Sequence, residues 1–456
     1  MNTLTHLQDD RLAALRSDAL AIFHSSLAAC NVDQAFARHL EFDAKSMLRR
    51  RSAVLPPVEH SLAGVKRVQV IAFGKAAVPM LDALLSRLPS RLRVDGICAA
   101  PVLPEKRQKH IQYFAGSHPL PNEESFDAAR EALALVRRAD RHTLIFFLLS
   151  GGGSSICELP RDRSIPLEDV RAFYETLVLS GAPIAEINTV RKFFSSIKGG
   201  QLAQAAPDAM RFTLLLADVP LKDLGVVASS PTLPDTSTWA QCSAVLDQWD
   251  LLPRFPASVR AYFQALAAQP PPAPTAQGLQ NMEMDVLLSN HDFVNAARDQ
   301  ARALGYKVVI DNTCDEWPFD RAAAYLVERM RTLRAEWGRV CLLSSGEVTV
   351  QMDRVRHGCG GRNQHFALKT ALLLDGFPGD VMVLSAGSDG LDGNSPAAGA
   401  TVDPTTATRA RAFHFDPEQS LARFNSCPLF TALGDAIMTG PTGNNLRDLR
   451  IFLSDS

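Results

Sequence analysis

The sequence predicts an α/β protein of two domains, each a mainly parallel sheet flanked by helices, with the N-terminal one Rossmann-like. Apolar runs of strand length alternate with helical stretches of about 10–15 residues, the pattern of βαβ units. A chain of 456 residues exceeds what a single core usually covers. Gln269-Pro-Pro-Pro-Ala-Pro-Thr-Ala-Gln-Gly278 is the clear low-complexity break and separates two alternating sets. The expected division is therefore residues 1–268, a linker at 269–280, and residues 281–456.

In chain order, residues 11–50 are rich in Ala, Leu and Arg with helical spacing and predict one or two helices. Residues 68–73 form the first strand, followed by Gly74-Lys75-Ala76-Ala77 and a helix over 79–88. Strands are predicted at 94–101 and 111–115, and a helix at 123–139. Residues 144–149 are all large and apolar, as only a strand covered on both faces tolerates. That run stops at Ser150-Gly151-Gly152-Gly153-Ser154-Ser155. Three glycines clear the turn of side chains, so backbone N–H groups can converge on a phosphate or carboxylate; a plain tight turn is the alternative. Helices near 167–180 and 187–206, a strand at 212–218 and helical residues 238–268 complete the first set. The second has strands at 286–289, 307–310, 340–344, 381–385 and 449–453, with helices near 292–304 and 320–336.

Composition narrows the function. With 47 Lys and Arg against 49 Asp and Glu, the net charge is −2, which leaves no basic footprint for nucleic acid or an anionic membrane. No apolar run reaches the roughly 20 residues of a membrane helix, and the N-terminus lacks an apolar signal core. Eight scattered cysteines without CxxC spacing fit a reducing cytoplasm better than a disulfide framework.

Several predicted strands end in small or charged residues: Gly74-Lys75, Ser150-Gly151, Asp218, Ser345-Gly346-Glu347 and Gly387-Ser388-Asp389. Ligands of open α/β sheets bind beyond such carboxyl ends. Asn188, Arg191, Lys192 and Lys198 place three cations within a few helical turns, enough to balance several phosphate charges, unless they form a solvated helix face. Asp218 ends an apolar strand and suits Mg²⁺ or a base for a substrate hydroxyl, and Glu347 and Asp389 could complete a carboxylate group. Asp223 and Asp392 read more simply as turn or capping residues. Arg362 and Asn363 open a helix where a planar guanidinium and an amide could grip an acid. Neither GxxxxGK[ST] nor GxGxxG follows a strand.

In order along residues 74–443, these segments resemble the glycerate 2-kinase family, whose C-terminal part is called MOFRL. The matching pieces include Gly74-Lys75-Ala76-Ala77, Gly116-Ser-His118-Pro119, Ser150-Gly-Gly-Gly-Ser154, Asn188-x-Val-Arg191-Lys192, Gly346-Glu347, Gly360-Gly-Arg-Asn-Gln364 and Asp389-Gly-x-Asp392-Gly393. The resemblance implies ATP- and Mg²⁺-dependent phosphorylation of D-glycerate at its 2-hydroxyl, in a cleft between two α/β domains. It implies Lys75 and Arg362 as catalytic or substrate-gripping cations, Asp218 as a metal or base carboxylate with Asp389 beside the metal, and a loop at 150–154 that cradles an anion. It leaves a homodimer open, and a related sugar acid as the acceptor.

The sequence departs from the family at Ala217, Leu221 and Lys222, where SDVxGD is usual, and at Ser230, His365 and Asn444. Some family members are labelled hydroxypyruvate reductase, an oxidoreductase alternative that the missing dinucleotide fingerprint disfavours. A non-catalytic sugar-acid binding protein is the third reading, supported only by the altered 217–223 loop.

Overall fold

A computed structural model describes residues 2–43, 47–50, 56–217, 227–272, 278–279, 282–351 and 358–455. Asp218, Asp223, the altered positions 221 and 222 and half of the expected linker lie outside the described residues. The chain forms two compact units, residues 32–287 and residues 1–31 with 288–456.

The larger unit begins with the helix Val32–His39 and a small antiparallel meander of β1 (Leu40–Phe42), β2 (Met47–Arg50) and β3 (Val58–Ser61). Its main sheet comprises β4 (Arg67–Phe73), β5 (Arg93–Ala99), β6 (Ile111–Phe114), β7 (Thr143–Leu149), β8 (Met210–Ala217) and β9 (Met282–Ser289). The strand order is β6-β5-β4-β7-β8-β9, and every pair from β6 to β8 is parallel. From β4 the chain winds outward to β6, then returns to start again at β7 on the other side. This is a doubly wound sheet whose topological switch lies between β4 and β7. The seven residues of β7 are all buried, as its unbroken apolar run requires.

The helices over the sheet follow the local signals. Glu123–Val136 starts at a capping box in which Asn122 and Ser125 satisfy each other's backbone N–H groups. Leu167–Val178 carries Glu168 and Asp169 in its first turn and buries Val170, Phe173, Tyr174 and Leu177 at helical spacing.

The smaller unit holds β10 (Lys307–Ile310), β11 (Val340–Ser345), β12 (Val381–Gly387), β13 (Gly399–Val402), β14 (Ala436–Ile437) and β15 (Asp448–Ser454), in the order β10-β11-β15-β12-β13-β14. Here the expectation of a mainly parallel sheet fails, because only β10 and β11 run parallel. The last strand inserts antiparallel between β11 and β12 and makes the centre of the sheet. The helix Asn2–Ala29 packs on β12, β15 and the helix Asn290–Ala303 and buries Leu12, Leu15, Ala19, Ile22 and Phe23.

The units also differ from the expected division. The opening helix joins the later residues, and β9, expected to begin the second set, closes the first sheet beside β8. Sequence spacing marks elements, but it does not say which sheet an edge strand joins. Among the described residues no helix is long and apolar enough to cross a membrane.

Phe147 in β7 is fully buried between layers. Phe147→Ala is expected to lower stability by about 3–5 kcal/mol, measured as a shifted urea midpoint.

Candidate active site

The first cluster of functional groups sits at the switch point. β4 and β7 are in register to their ends, Phe73 opposite Leu149, so Gly74 and Ser150 leave the sheet together. Gly74 takes φ +127°, and a Cβ there would lie 2.3 Å from Ser150 Oγ and 2.6 Å from the Ser150 carbonyl oxygen. Without that side chain the two loops interlock. The Lys75 N–H donates to the Gly151 carbonyl at 2.9 Å, and the Ala76 N–H to Ser150 Oγ at 3.0 Å. Buried Ser150 thus braces the loops, while Lys75 leads away with an exposed side chain. Gly152 turns the chain at φ +79° into the short helical segment Gly153–Ile156. A Cβ on Gly153 would stand 2.9 Å from Ala228 Cβ.

Ser154 opens a chain of polar groups. Its Oγ lies 2.8 Å from Ser229 Oγ, which donates to Asn188 Oδ1 at 2.8 Å. Ser229 is held there by a left-handed turn, with φ of 50°, 55° and 58° at Ala228, Ser229 and Ser230. Non-glycine residues in this region cost about 1–2 kcal/mol each. The Gly199 and Gly200 N–H groups offset part of that by donating to the Ser229 and Ser230 carbonyls at 3.2 and 2.7 Å.

The expected cations separate into different roles. Arg191 is buried with its Cζ 4.5 Å from the Tyr174 ring centroid, and its Nε has no hydrogen-bond partner among the described residues. Lys192 Nζ donates to Asp235 Oδ1 at 2.9 Å. Lys198 corrects the sequence reading. The helix Ile184–Phe194 ends before it and Ser195 is extended, so Lys198 does not continue the face that carries Arg191. It points inward, fully buried, and pairs with the fully buried Glu158, while its Nζ also donates to the Ser154 carbonyl at 2.9 Å. The Tyr174 hydroxyl reaches both the Glu158 carboxylate and the Ser154 carbonyl. Burial lowers the Lys198 pKa, opposed by Glu158. A charge matched in this way braces the loop from behind rather than meeting a phosphate.

His118 belongs to the cluster although its role was missed in the sequence. A Cβ on Gly152 would stand 3.0 Å from its ring. Desolvation, then the charges of Lys75 and Arg191, lower its pKa to about 4, so it is a neutral imidazole among cations.

The second cluster lies in the smaller unit, where antiparallel β15 brings its first residue, Asp448, to the carboxyl ends of β11 and β12. Arg362 Nε and Nη2 donate to the two Asp448 oxygens at 2.6 and 3.0 Å, and Nη1 donates to Glu347 Oε2 at 2.9 Å. Burial would lower the Arg362 pKa, but Asp448 and Glu347 raise it. Arg362 is therefore clamped between two carboxylates, and Glu347, expected as a ligand, is half of the clamp. Asn363 is buried and accepts from Ser385 Oγ at 2.8 Å. Asp392 caps the helix Arg362–Leu374 as expected, accepting the Asn363 and Gln364 N–H groups at 3.0 and 2.8 Å. Burial pushes its pKa up to about 7.

Arg447, Asp315 and Arg450, which sequence reasoning missed, stand around the clamp. Arg447 grips Asp315 through two bonds of 2.7 and 2.8 Å, and fully buried Arg450 holds the Gly346 carbonyl at 3.0 and 2.9 Å. Asp389 Oδ1 accepts the Leu391 N–H at 3.2 Å at the end of β12. Among the described residues no three His, Cys, Asp or Glu side chains gather as a metal cage.

Two outcomes follow from the buried groups. Lys198→Met, which strands the Glu158 charge, should cost about 3–5 kcal/mol in urea unfolding, and adding Glu158→Leu should restore most of it. His365 is buried, stacks on Phe424 at 4.9 Å, and has its pKa lowered by desolvation to about 4. The unfolded imidazole, near 6.5, binds its proton first, so stability falls as pH drops from 6.5 toward 4. The loss from this group is roughly 3 kcal/mol. Unfolding measured at both ends of that range should show the loss, and His365→Gln should reduce it, leaving the share that His118 contributes.

Known proteins agree with this architecture. "Domain of unknown function (DUF4147)" matches residues 18–264, and "MOFRL family" matches residues 340–448. The chain is 33% identical to the glycerate 2-kinase of Pyrococcus horikoshii, covering 86% of this chain and 88% of that protein. A crystal structure of a glycerate kinase from Thermotoga maritima superposes with a TM-score of 0.79 at 31% identity, covering 97% of this chain and 100% of that one. An Agrobacterium vitis protein, named provisionally for hydroxypyruvate reduction, is 34% identical over 85% of this chain and 87% of its own length. The chain belongs to the glycerate 2-kinase family, with a DUF4147 region followed by a MOFRL region.

Proposed function

We propose that this chain transfers the γ-phosphoryl group of ATP to the 2-hydroxyl of D-glycerate, giving 2-phosphoglycerate and ADP. The observation that carries the reading is Arg191, a buried guanidinium whose Nε lacks a partner among the described residues, beside a glycine loop flanked by Lys75. Such a group is costly to bury unless an anion completes it. Family membership supplies the reaction class, since the Pyrococcus and Thermotoga relatives are named for glycerate phosphorylation.

Phosphoryl transfer rests on positioning and charge neutralisation. In this reading Lys75 and Arg191 hold the negative charge of phosphate or substrate carboxylate, with the 150–154 loop, Asn188 and Lys192 shaping the cradle. Neutral His118 accepts a hydrogen bond without competing for those anions. Arg362, oriented by Asp448 and Glu347, is the second catalytic cation, and Asn363 fixes the helix that carries it. Asp218 in the larger unit and Asp389 in the smaller are each proposed as a carboxylate for Mg²⁺, which when bound would neutralise phosphate oxygens. Asp218 also suits the base that takes the substrate's hydroxyl proton. Oxidoreduction has less support, because Gly74-Lys75-Ala76-Ala77 stands after β4 where a nicotinamide enzyme of this topology carries GxGxxG.

The test is ADP release by the purified chain with ATP, Mg²⁺ and D-glycerate. Lys75→Ala and Arg191→Ala should each lower kcat/KM about 10²–10³-fold. NADH consumption with hydroxypyruvate, in the absence of any ADP release, would overturn the reading.

A further inference from the structure

Cys359 and Cys427 form a pair of thiols that the proposed reaction does not use. Cys359 lies in the loop just before Gly360, Gly361 and Arg362, and Cys427 opens the helix Cys427–Leu433. They are far apart in sequence but their segments are joined directly, because the Cys427 N–H donates to the Cys359 carbonyl at 3.0 Å. A direct backbone bond holds the two Cα atoms within the span of about 4.4–6.8 Å that a disulfide bridges. The rest of the loop is fastened to the same segment. The Cys359 N–H donates to Asn425 Oδ1 at 2.9 Å, and the Gly358 N–H to the Arg423 carbonyl at 3.3 Å.

The other six cysteines are buried, whereas Cys359 is partly exposed. Cys427 is the more enclosed of the pair, and its sulfur accepts from Ser395 Oγ at 3.4 Å. The Ser395 oxygen in turn accepts the Ala397 N–H at 3.1 Å, which leaves the hydroxyl proton aimed at the sulfur. A hydroxyl pointed at sulfur favours the thiolate, the form that attacks a disulfide. The arrangement thus has an accessible thiol, whose pKa burial pushes up to about 11, and a supported resolving thiol on the segment bonded to it.

We propose that Cys359 and Cys427 are a redox-modification site that closes to a reversible disulfide and locks the loop carrying Gly360, Gly361 and Arg362. With a small disulfide such as oxidised glutathione, the Cys359 thiolate attacks one sulfur and expels one glutathione thiolate. The Cys427 thiolate then attacks Cys359 sulfur in the mixed disulfide and expels the second. Two protein thiols are oxidised, one glutathione disulfide is reduced to two thiols, and the two protons pass to solvent. Because the loop and the helix already touch, closure needs no rearrangement of the fold. In a reducing compartment such a bond forms only under oxidative load.

The test counts thiols, so it stands apart from turnover, and failure of the kinase reading would leave it untouched. The folded chain is treated with oxidised glutathione, denatured, alkylated, and mapped by mass spectrometry without reductant. The expected result is a loss of two alkylatable thiols and one crosslinked peptide containing Cys359 and Cys427, reversed by dithiothreitol. The same treatment should raise the thermal midpoint by several degrees, and Cys359→Ser and Cys427→Ser should each abolish both changes. A full set of alkylated cysteines would overturn the proposal, and so would a stable glutathione adduct on Cys359 without the crosslink.

Discussion

Ser150 occupies the space that any side chain on Gly74 would need, and the larger unit's site depends on that exclusion. Because the two strands leave the sheet in register, their loops must either collide or interlock, and a missing Cβ decides between these. Once they interlock, the glycine turn is fixed from the front by Ala76 and from behind by Lys198 and Tyr174. The shape of the anion cradle is thus determined by buried contacts, while the groups that face a ligand remain few.

Both units separate charge for the fold from charge for chemistry. Lys198 is matched by Glu158, Lys192 by Asp235, Arg447 by Asp315, and Arg450 by a backbone carbonyl. Arg362 is intermediate, oriented by two carboxylates yet still partly exposed. Arg191 contrasts with these, since no ion pair or side-chain hydrogen bond among the described residues engages its guanidinium, which lies over the Tyr174 ring. In this molecule the number of cations near a loop says less about ligand binding than the company each one keeps.

Most elements were legible in the sequence because their signals are local. The apolar run at 144–149, the glycine loop after it and the helix after Asn122 need no knowledge of distant residues. The order of motifs was equally legible, and it carried the family. Lys198 misled because its spacing resembles a continued helix face, while its partner Glu158 lies 40 residues earlier. The clamp on Arg362 was half visible: Glu347 was noticed as a charged strand end, but Asp448 was not, since its position depends on β15 entering antiparallel. Membership of β9 and of the opening helix failed for the same reason, being settled by packing rather than by spacing.

The central place of β15 has a consequence for biosynthesis. The opening helix packs on β12 and β15, which the ribosome delivers only after the whole 32–287 unit has been made. At about 5–20 residues per second, the apolar residues of that helix wait for tens of seconds without their partner sheet. Meanwhile the larger unit, whose strands are contiguous in sequence, can fold as it emerges. The smaller unit is therefore the later half of the molecule to close, its central strand being the last of its sheet to emerge.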